Sequence, residues 1–381
     1  MTHKLYFILL VLILNSSVAF SRTFDFRFSH CYTDSSKPQN DKDSLYCSDG
    51  PVIVYDSGKI INYRIIPDGN SFKSLQQIIE KSGKLYCFVD EIQQSFSFRL
   101  KDTIIADNSV YDLPDKMIIV SDIEGNFKGF QSILKGAGVI DTGFNWTFGN
   151  GHLVFVGDIF DRSPNVTECL WLLYKLETES VQKGGKVHFV LGNHEVMNLK
   201  KDYRYVRQKY FVNADSLKLD YSKWYDRNTE LGRWIRSKNC IVRIGDMIFV
   251  HGGISKDFPY TEYSLDGINS CFRDRIDAEL TKDGIRNDVF IGRNSPIWYR
   301  GIADGKMGQN DLDKVLSTFG ANKMVIGHTI FDEIKYLYGR KVIAIDLEHR
   351  INTENGFMNA LWFEGNEFFT VNDRGIKTLL K

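Results

Sequence analysis

The sequence has no excess of either charge: 48 Lys+Arg stand against 48 Asp+Glu in 381 residues. That disfavours a general nucleic-acid binder, which carries a basic surplus. It leaves room for an anionic substrate held by a few local cations or metal ions. Low-complexity segments and repeats are lacking as well. With 43% hydrophobic and 25% charged residues, the composition excludes a disordered, collagen-like or polytopic membrane chain. No CxxC pair occurs, so neither a zinc knuckle nor a thioredoxin-type motif is supported. A GxxxxGK[ST] phosphate loop is absent, no GxGxxG stands in a suitable context, and residues 252–255 (GGIS) lack the flanks of a serine-hydrolase elbow.

Long apolar runs are limited to residues 5–14 (LYFILLVLIL). This run falls short of the roughly 20 residues that span a bilayer. It follows Lys4 and precedes the small, polar residues 15–19 (NSSVA). Residues 1–21 are therefore expected to be a signal peptide, cut after Ala19 or Ser21. A secreted or periplasmic location and no stable membrane span after cleavage follow from that expectation. In an oxidising compartment a disulfide between Cys31 and Cys47 would staple the polar loop between them. Isolated cysteines such as Cys169 read equally well as small buried hydrophobes.

The fold class expected is α/β (α+β). Residues 22–115 read as a small β-rich accessory module. A hairpin is expected over 51–66 around Asp56-Ser57-Gly58-Lys59, strands at 84–90 and 95–100, and a helix over 72–81 from its apolar spacing. From residue 116 apolar strands alternate with helical segments at 127–137 and 167–177, which builds an α/β core. Helical insertions are expected near 199–239 and 256–320, and strands return in the tail.

Five of the apolar strands end in the same way. Residues 116–125 run into Asp122 and Glu124, and 152–162 into Asp158, Asp161 and Arg162. Residues 186–195 end in Asn193, His194 and Glu195; His251 closes 247–251 and His328 closes 323–328. One Gly-Asp ending could be simple turn chemistry. Five in order, mixing Asp, Asn and His, are a set of metal-competent side chains collected at the carboxyl ends of strands. Asp346 and His349 lie nearby and are expected in structural or supporting roles.

The order Asp, GDxxDR, GNHE, HGG, GH over residues 116–350 closely resembles the calcineurin-like metallophosphatases. The pair GDxxDR and GNHE points to the phosphoprotein-phosphatase branch. Residues 297–301 (IWYRG) followed by GHT (327–329) look most like the bacterial Shewanella-like protein phosphatases. The resemblance implies a β-sandwich flanked by helices, with two metal ions at its edge. It further implies hydrolysis of a phosphomonoester, on a phosphoprotein or a small molecule, by metal-hydroxide attack. By the same carry-over Asp122 and Asp158 would hold the first metal, with Asp158 bridging. Asn193, His251 and His328 would hold the second. His194, held by Asp161, would be the general acid. Arg162 would grip phosphate oxygens, with Arg300 as a second clamp.

One position departs from the family pattern. Glu124 stands where Asp-x-His-Gly would place a histidine. Three readings of Glu124 compete: direct ligation of the first metal, ligation through a water, or a weakened first site. Direct or water-mediated ligation would make the first site all-oxygen, which leans toward Mn, Mg or iron; Zn is an alternative. A dinucleotide polyphosphate hydrolase on the same core is the second enzymatic reading. A non-catalytic scaffold is the third, resting on Glu124 alone. No oligomeric state is legible.

Overall fold

The computed structural model describes residues 47–69 and 71–381. The expected leader over residues 1–21, Cys31 and the loop that Cys31 and Cys47 flank fall outside the described residues. Among the described residues no helix is long and apolar enough to cross a membrane.

Two six-stranded sheets form the core. One runs, in spatial order, Lys377–Leu379, Glu367–Asn372, Asn359–Glu364, Lys116–Val120, His152–Val156, Lys186–Val190. The other runs Lys335–Leu337, Val342–Ala344, Lys323–Ile326, Met247–Val250, Ile241–Ile244, Val110–Tyr111. Strand side chains alternate between faces, and both faces here are apolar. Met117, Ile119, Val154 and Val156 of the first sheet meet Ile244, Phe249, Val325 and Ile343 of the second in one buried cluster. The alternate residues Ile118, Val120, Leu153 and Phe155 face outward into a second cluster. Phe130 and Ile133 of the Phe127–Gly136 helix and Leu170 of the Val166–Gln182 helix are part of it. This is the β-sandwich flanked by helices that the family resemblance implied, and it explains why these strands read as continuous apolar runs.

The hairpin over 51–66 is present as Asp49–Asp56 paired with Lys59–Asp68, with Ser57 and Gly58 both at positive φ. That is the turn geometry whose twist suits a two-residue hairpin loop. The expected helix over 72–81 is wrong. Ser71–Ile79 is a strand, paired with Lys59–Asp68 along its whole length. Phe72, Leu75, Ile78 and Ile79 have helical spacing, but Ile78 is 66% exposed and the others only half-buried. The apolar residues are thus not gathered on one buried face, whereas the neighbouring strand offered a full hydrogen-bond ladder.

The strands Leu85–Val89 and Gln94–Phe98 pack on the Val166–Gln182 helix through aromatic residues. Phe98 stacks on Trp171 at 4.2 Å between centroids, and Trp171 donates its indole N–H to the Pro51 carbonyl at 2.8 Å. The segment 199–239 contains the helices Gln208–Leu217 and Glu230–Arg236. The segment 256–320 contains Leu265–Asp277, Lys282–Asn287 and Gln309–Thr318.

Candidate metal centre

Parallel pairing puts the carboxyl ends of Lys116–Val120, His152–Val156 and Lys186–Val190 side by side, and those of Met247–Val250 and Lys323–Ile326 likewise in the facing sheet. The loops that follow are stitched together by backbone bonds. Asp122 donates its N–H to Gly157, Glu124 to Asp158 and Gly327 to His251, each at 2.9 Å. Asp122, Glu124, Asp158, Asp161, Arg162 and His328 all adopt positive φ. For a non-glycine residue this costs roughly 1–3 kcal/mol, and such strain concentrates where side chains must be aimed at one point. Two glycines permit the approach. A Cβ on Gly192 would lie 2.2 Å from Asp158 Oδ1, and one on Gly327 would lie 2.4 Å from Asp122 Oδ2.

Around His251 Nε2 stand Asp158 Oδ2 at 3.0 Å, Asn193 Oδ1 at 3.1 Å and His328 Nδ1 at 3.1 Å. His251 Nδ1 lies 2.8 Å from the Val156 carbonyl, which can only accept. Nδ1 therefore carries a proton, which leaves Nε2 as the nitrogen whose lone pair a cation would take in place of a proton. Two oxygens and two imidazole nitrogens from four loops thus converge on one buried point. Burial opposes charge on His251, but Asp158 and Asp122 outweigh it and lift its pKa to about 10. The pocket has a field that favours a cation at this point. Burial, with His251 and Arg300, pushes His328 well below its ordinary value and keeps it neutral, as a ligand must be. The donor set fits a divalent ion.

A second group forms beside it. Ligand atoms of Glu124, Asp158 and His194 all lie within 4.8 Å of one another. Glu124 Oε1 is also 2.8 Å from Arg162 Nε. Burial pushes Glu124 up to about 8, against the pull of Arg162 and His194. Asp122 accepts the His328 N–H at 3.1 Å and lies 4.0 Å from His251 Nε2. Asp346, buried, is pushed well above its ordinary value by burial and then by the charges of Asp122, Glu124 and Asp158. So much negative charge in one water-poor pocket calls for compensating cations, which fits a second ion held by carboxylates.

His194 donates its backbone N–H to Asp158 Oδ1 at 2.9 Å, and its Nδ1 lies 2.6 Å from Asp161 Oδ2. Burial disfavours its charge, but Asp158 and Asp161 together raise it to about 9. The ring is thus held protonated with Nε2 turned toward the centre, 3.9 Å from Asp158 Oδ2. Arg162 sits over the Tyr205 ring at 5.3 Å. Arg300 donates to the His328 carbonyl at 2.5 Å and to Thr329 Oγ1 at 2.8 Å, so it braces the loop that carries His328.

Two supporting residues were given no role from sequence. Glu195, fully buried, accepts the N–H groups of Asp158, Ile159 and Gly192 at 2.9, 2.7 and 2.7 Å. It ties the two loops that supply Asp158 and Asn193. Its position three residues after the helix N-cap Gly192 was the available signal, since that is capping-box spacing. Asn198 donates to Asp161 Oδ1 at 2.9 Å and to the His194 carbonyl at 3.0 Å, and accepts from Tyr221.

Residues 116–331 match the calcineurin-like phosphoesterase family. The solved structure of a cold-active protein-tyrosine phosphatase from a psychrophilic Shewanella is 33% identical. It superposes with a TM-score of 0.78, covering 88% of this chain and 99% of that one. Shewanella-like protein phosphatase 2 of Arabidopsis thaliana is 27% identical, with 62% of this chain and 72% of that protein covered. Shewanella-like protein phosphatase 1 of Plasmodium berghei is also 27% identical, over 58% and 65%. With its strand-end donors, its sandwich and these relatives, the chain belongs to the calcineurin-like phosphoesterase family, on the side of the Shewanella-like phosphatases, and is a hydrolase of phosphoester bonds.

Proposed function

We propose that this protein is a dinuclear metal-dependent protein phosphatase acting on phosphomonoesters. The observation that carries the reading is the convergence of Asp158, Asn193 and His328 on His251 Nε2, next to a carboxylate-held His194. Asp158, Asn193, His251 and His328 would hold one ion, and Asp122, Glu124 and Asp158 the other. When bound, two such ions supply an activated water and neutralise the phosphoryl dianion. An oxygen-rich first site suits Mn or Fe.

The remaining work falls to side chains. Arg162, with its planar fork over Tyr205, would bind and orient the phosphoryl oxygens. His194 Nε2 would give its proton to the departing alkoxide or phenoxide, while Asp161 holds the Nδ1 proton and the ring orientation. Asn198 fixes Asp161 from behind. Because a Shewanella relative is a protein-tyrosine phosphatase, phosphotyrosine peptides are the first protein substrate proposed. The leader-like residues 1–21 support a periplasmic or secreted site of action.

The test is metal analysis of the purified protein together with a substrate panel of aryl phosphate, phosphotyrosine and phosphoserine peptides and a dinucleotide polyphosphate. About two metal ions per chain and hydrolysis of the monoesters are expected. Hydrolysis of the dinucleotide alone, or no bound metal, would overturn the reading.

A further inference from the structure

A groove of about 640 Å³ opens beside the metal centre. It lies between the chain leaving the Asn193–Leu199 helix and the Lys282–Asn287 helix. Two of its wall residues touch the centre itself. Met197 Sδ lies 3.8 Å from Asn193 Nδ2, and the Trp298 ring stands edge-on to His328 with centroids 5.6 Å apart. The groove therefore begins one side chain away from two of the candidate metal ligands. A substrate anchored by its phosphoryl group at the centre has this channel for the rest of its chain.

The lining has an apolar part, with Val196, Ile285 and Ile291, and a strongly cationic part. Lys200, Lys201, Arg204, Lys282, Arg286 and Arg293 face Asp202 and Asp283. Asp202 is taken by Arg204, at 2.9 and 2.5 Å. Lys200 is partly engaged by the Ala278 carbonyl at 2.6 Å. Among the described residues, Lys201, Lys282, Arg286 and Arg293 form no ion pair, and all are exposed. The chain as a whole is neutral, so this surplus is local. Cations left without partners around a groove attract anions and raise their local concentration. The metal centre already accounts for the phosphoryl charge, and the groove cations lie beyond it.

We infer that the groove binds an acidic peptide segment next to the phosphorylated residue, with Asp or Glu side chains on the cationic rim and an apolar side chain against Val196, Ile285 and Ile291. The inference rests on the protein-phosphatase reading and narrows it to phosphoproteins whose phosphorylated site is flanked by carboxylates. A mixed apolar and cationic channel suits such a peptide. A nucleic-acid strand would find no continuous basic track on a neutral chain.

The test uses the metal-loaded full chain and three substrates: a phosphopeptide with Asp and Glu flanking the phosphorylated residue, the same peptide with Asn and Gln, and an aryl phosphate. The acidic peptide should exceed the amide peptide in kcat/KM by about 10-fold at low salt, through KM, and the ratio should shrink as salt rises. In the triple variant Lys282→Glu/Arg286→Glu/Arg293→Glu the ratio should fall to about one or below. A ratio near one in the wild type, or an unchanged ratio in the variant, overturns the inference. Loss of all hydrolysis, aryl phosphate included, would strike the phosphatase reading and leave the groove to a binding measurement. Fluorescence anisotropy with the unphosphorylated peptides should then show about 10-fold tighter binding of the acidic one, abolished in the triple variant. Equal binding of both peptides, or tighter binding of a single-stranded oligonucleotide, would overturn the groove assignment.

Discussion

Glu124 Oε1 lies 2.8 Å from Arg162 Nε, so the residue that departs from the family pattern is paired with the arginine expected to grip phosphate. The pair joins the first and second strand-end loops, whose backbones already exchange a bond from Glu124 to Asp158. A histidine at this position could not pair with Arg162 in this way. Glu124 thus has two roles open to it, donor to the first metal and anchor for Arg162. Substitution separates them. Glu124→Ala should lower metal content toward one ion per chain and weaken the remaining metal affinity about 10–100-fold. Metal analysis by mass spectrometry after gel filtration reads this directly. Full metal content with a raised KM would assign Glu124 to Arg162 alone.

Asp161 sits 2.6 Å from His194 Nδ1 and is itself bonded by Asn198. Asp161→Asn removes one of the charges that hold His194 protonated. A general acid is active when protonated, so with His194 in that proposed role activity falls as pH rises through its pKa. Lowering that pKa moves the alkaline limb of the kcat profile to lower pH. Turnover on an alkyl phosphate should fall about 100-fold, and much less on an aryl phosphate whose leaving group hardly needs a proton. Equal losses on the two substrates would show that Asp161 is structural only.

The site was more legible than its support. Asp122, Asp158, Asn193, His251 and His328 could be found because each ends a buried apolar strand, and a strand end fixes direction and position together. The register of neighbouring parallel strands then brought the set to one point. Asn198 escaped because its carboxylate partner comes from another loop, which no local spacing encodes; Glu195 showed its capping-box spacing to Gly192 but not its bonds to Asp158 and Ile159. The 72–81 segment misled for a related reason: apolar spacing says which side chains share a helix face, but not whether that face has anything to pack on. Arg300 was expected to point at substrate, and its bonds to His328 and Thr329 were invisible without the fold.

Glu195 should matter more for the loops than its distance from substrate suggests. It accepts N–H groups from Asp158, Ile159 and Gly192 with no exposure to solvent. Glu195→Gln keeps the shape but turns an N–H2 toward one of those donors. The cost expected is about 2–3 kcal/mol, from a lost charge-assisted bond and an orphaned amide. Denaturant titration should show that loss, and metal affinity should fall with it because Asp158 and Asn193 lose their common brace. Unchanged stability would mean that the loops hold their strained backbone without Glu195.

Trp171 tests whether residues 47–100 are integral to the catalytic core. Its ring stacks on Phe98, its N–H reaches Pro51, and it is fully buried. Trp171→Ala should cost about 3–5 kcal/mol. If the N-terminal strands share one cooperative unit with the sandwich, thermal unfolding should stay a single transition at a lower temperature, and turnover should vanish at the same temperature. A new, separate low-temperature transition that leaves the metal centre active would instead mark those strands as an accessory module on an independent catalytic unit.

The last prediction concerns acid stability, through a histidine pair remote from the chemistry. His188 Nε2 and His152 Nδ1 are 3.0 Å apart on adjacent strands, with the Tyr111 ring edge-on to His188. Burial, then Lys186, lowers His152 from 6.5 to about 4; burial, then His152, lowers His188 well below 6.5. Both rings are neutral in the folded chain at neutral pH. Below pH 6.5 the unfolded chain takes up protons that the folded chain refuses, so stability present above 6.5 is lost as pH falls toward 4. Between pH 6.5 and about 5 the histidine pair should pull the melting temperature down as pH falls, while the raised carboxyls of Glu124 and Asp346, protonated first in the folded chain, pull it the other way. In His152→Gln/His188→Gln the downward contribution of the pair should be missing from the slope, leaving that of His349, which burial lowers to about 4, against the opposing carboxyls. Melting curves at half-unit pH steps decide it: a slope that is unchanged in the double variant would mean that neither histidine governs acid stability.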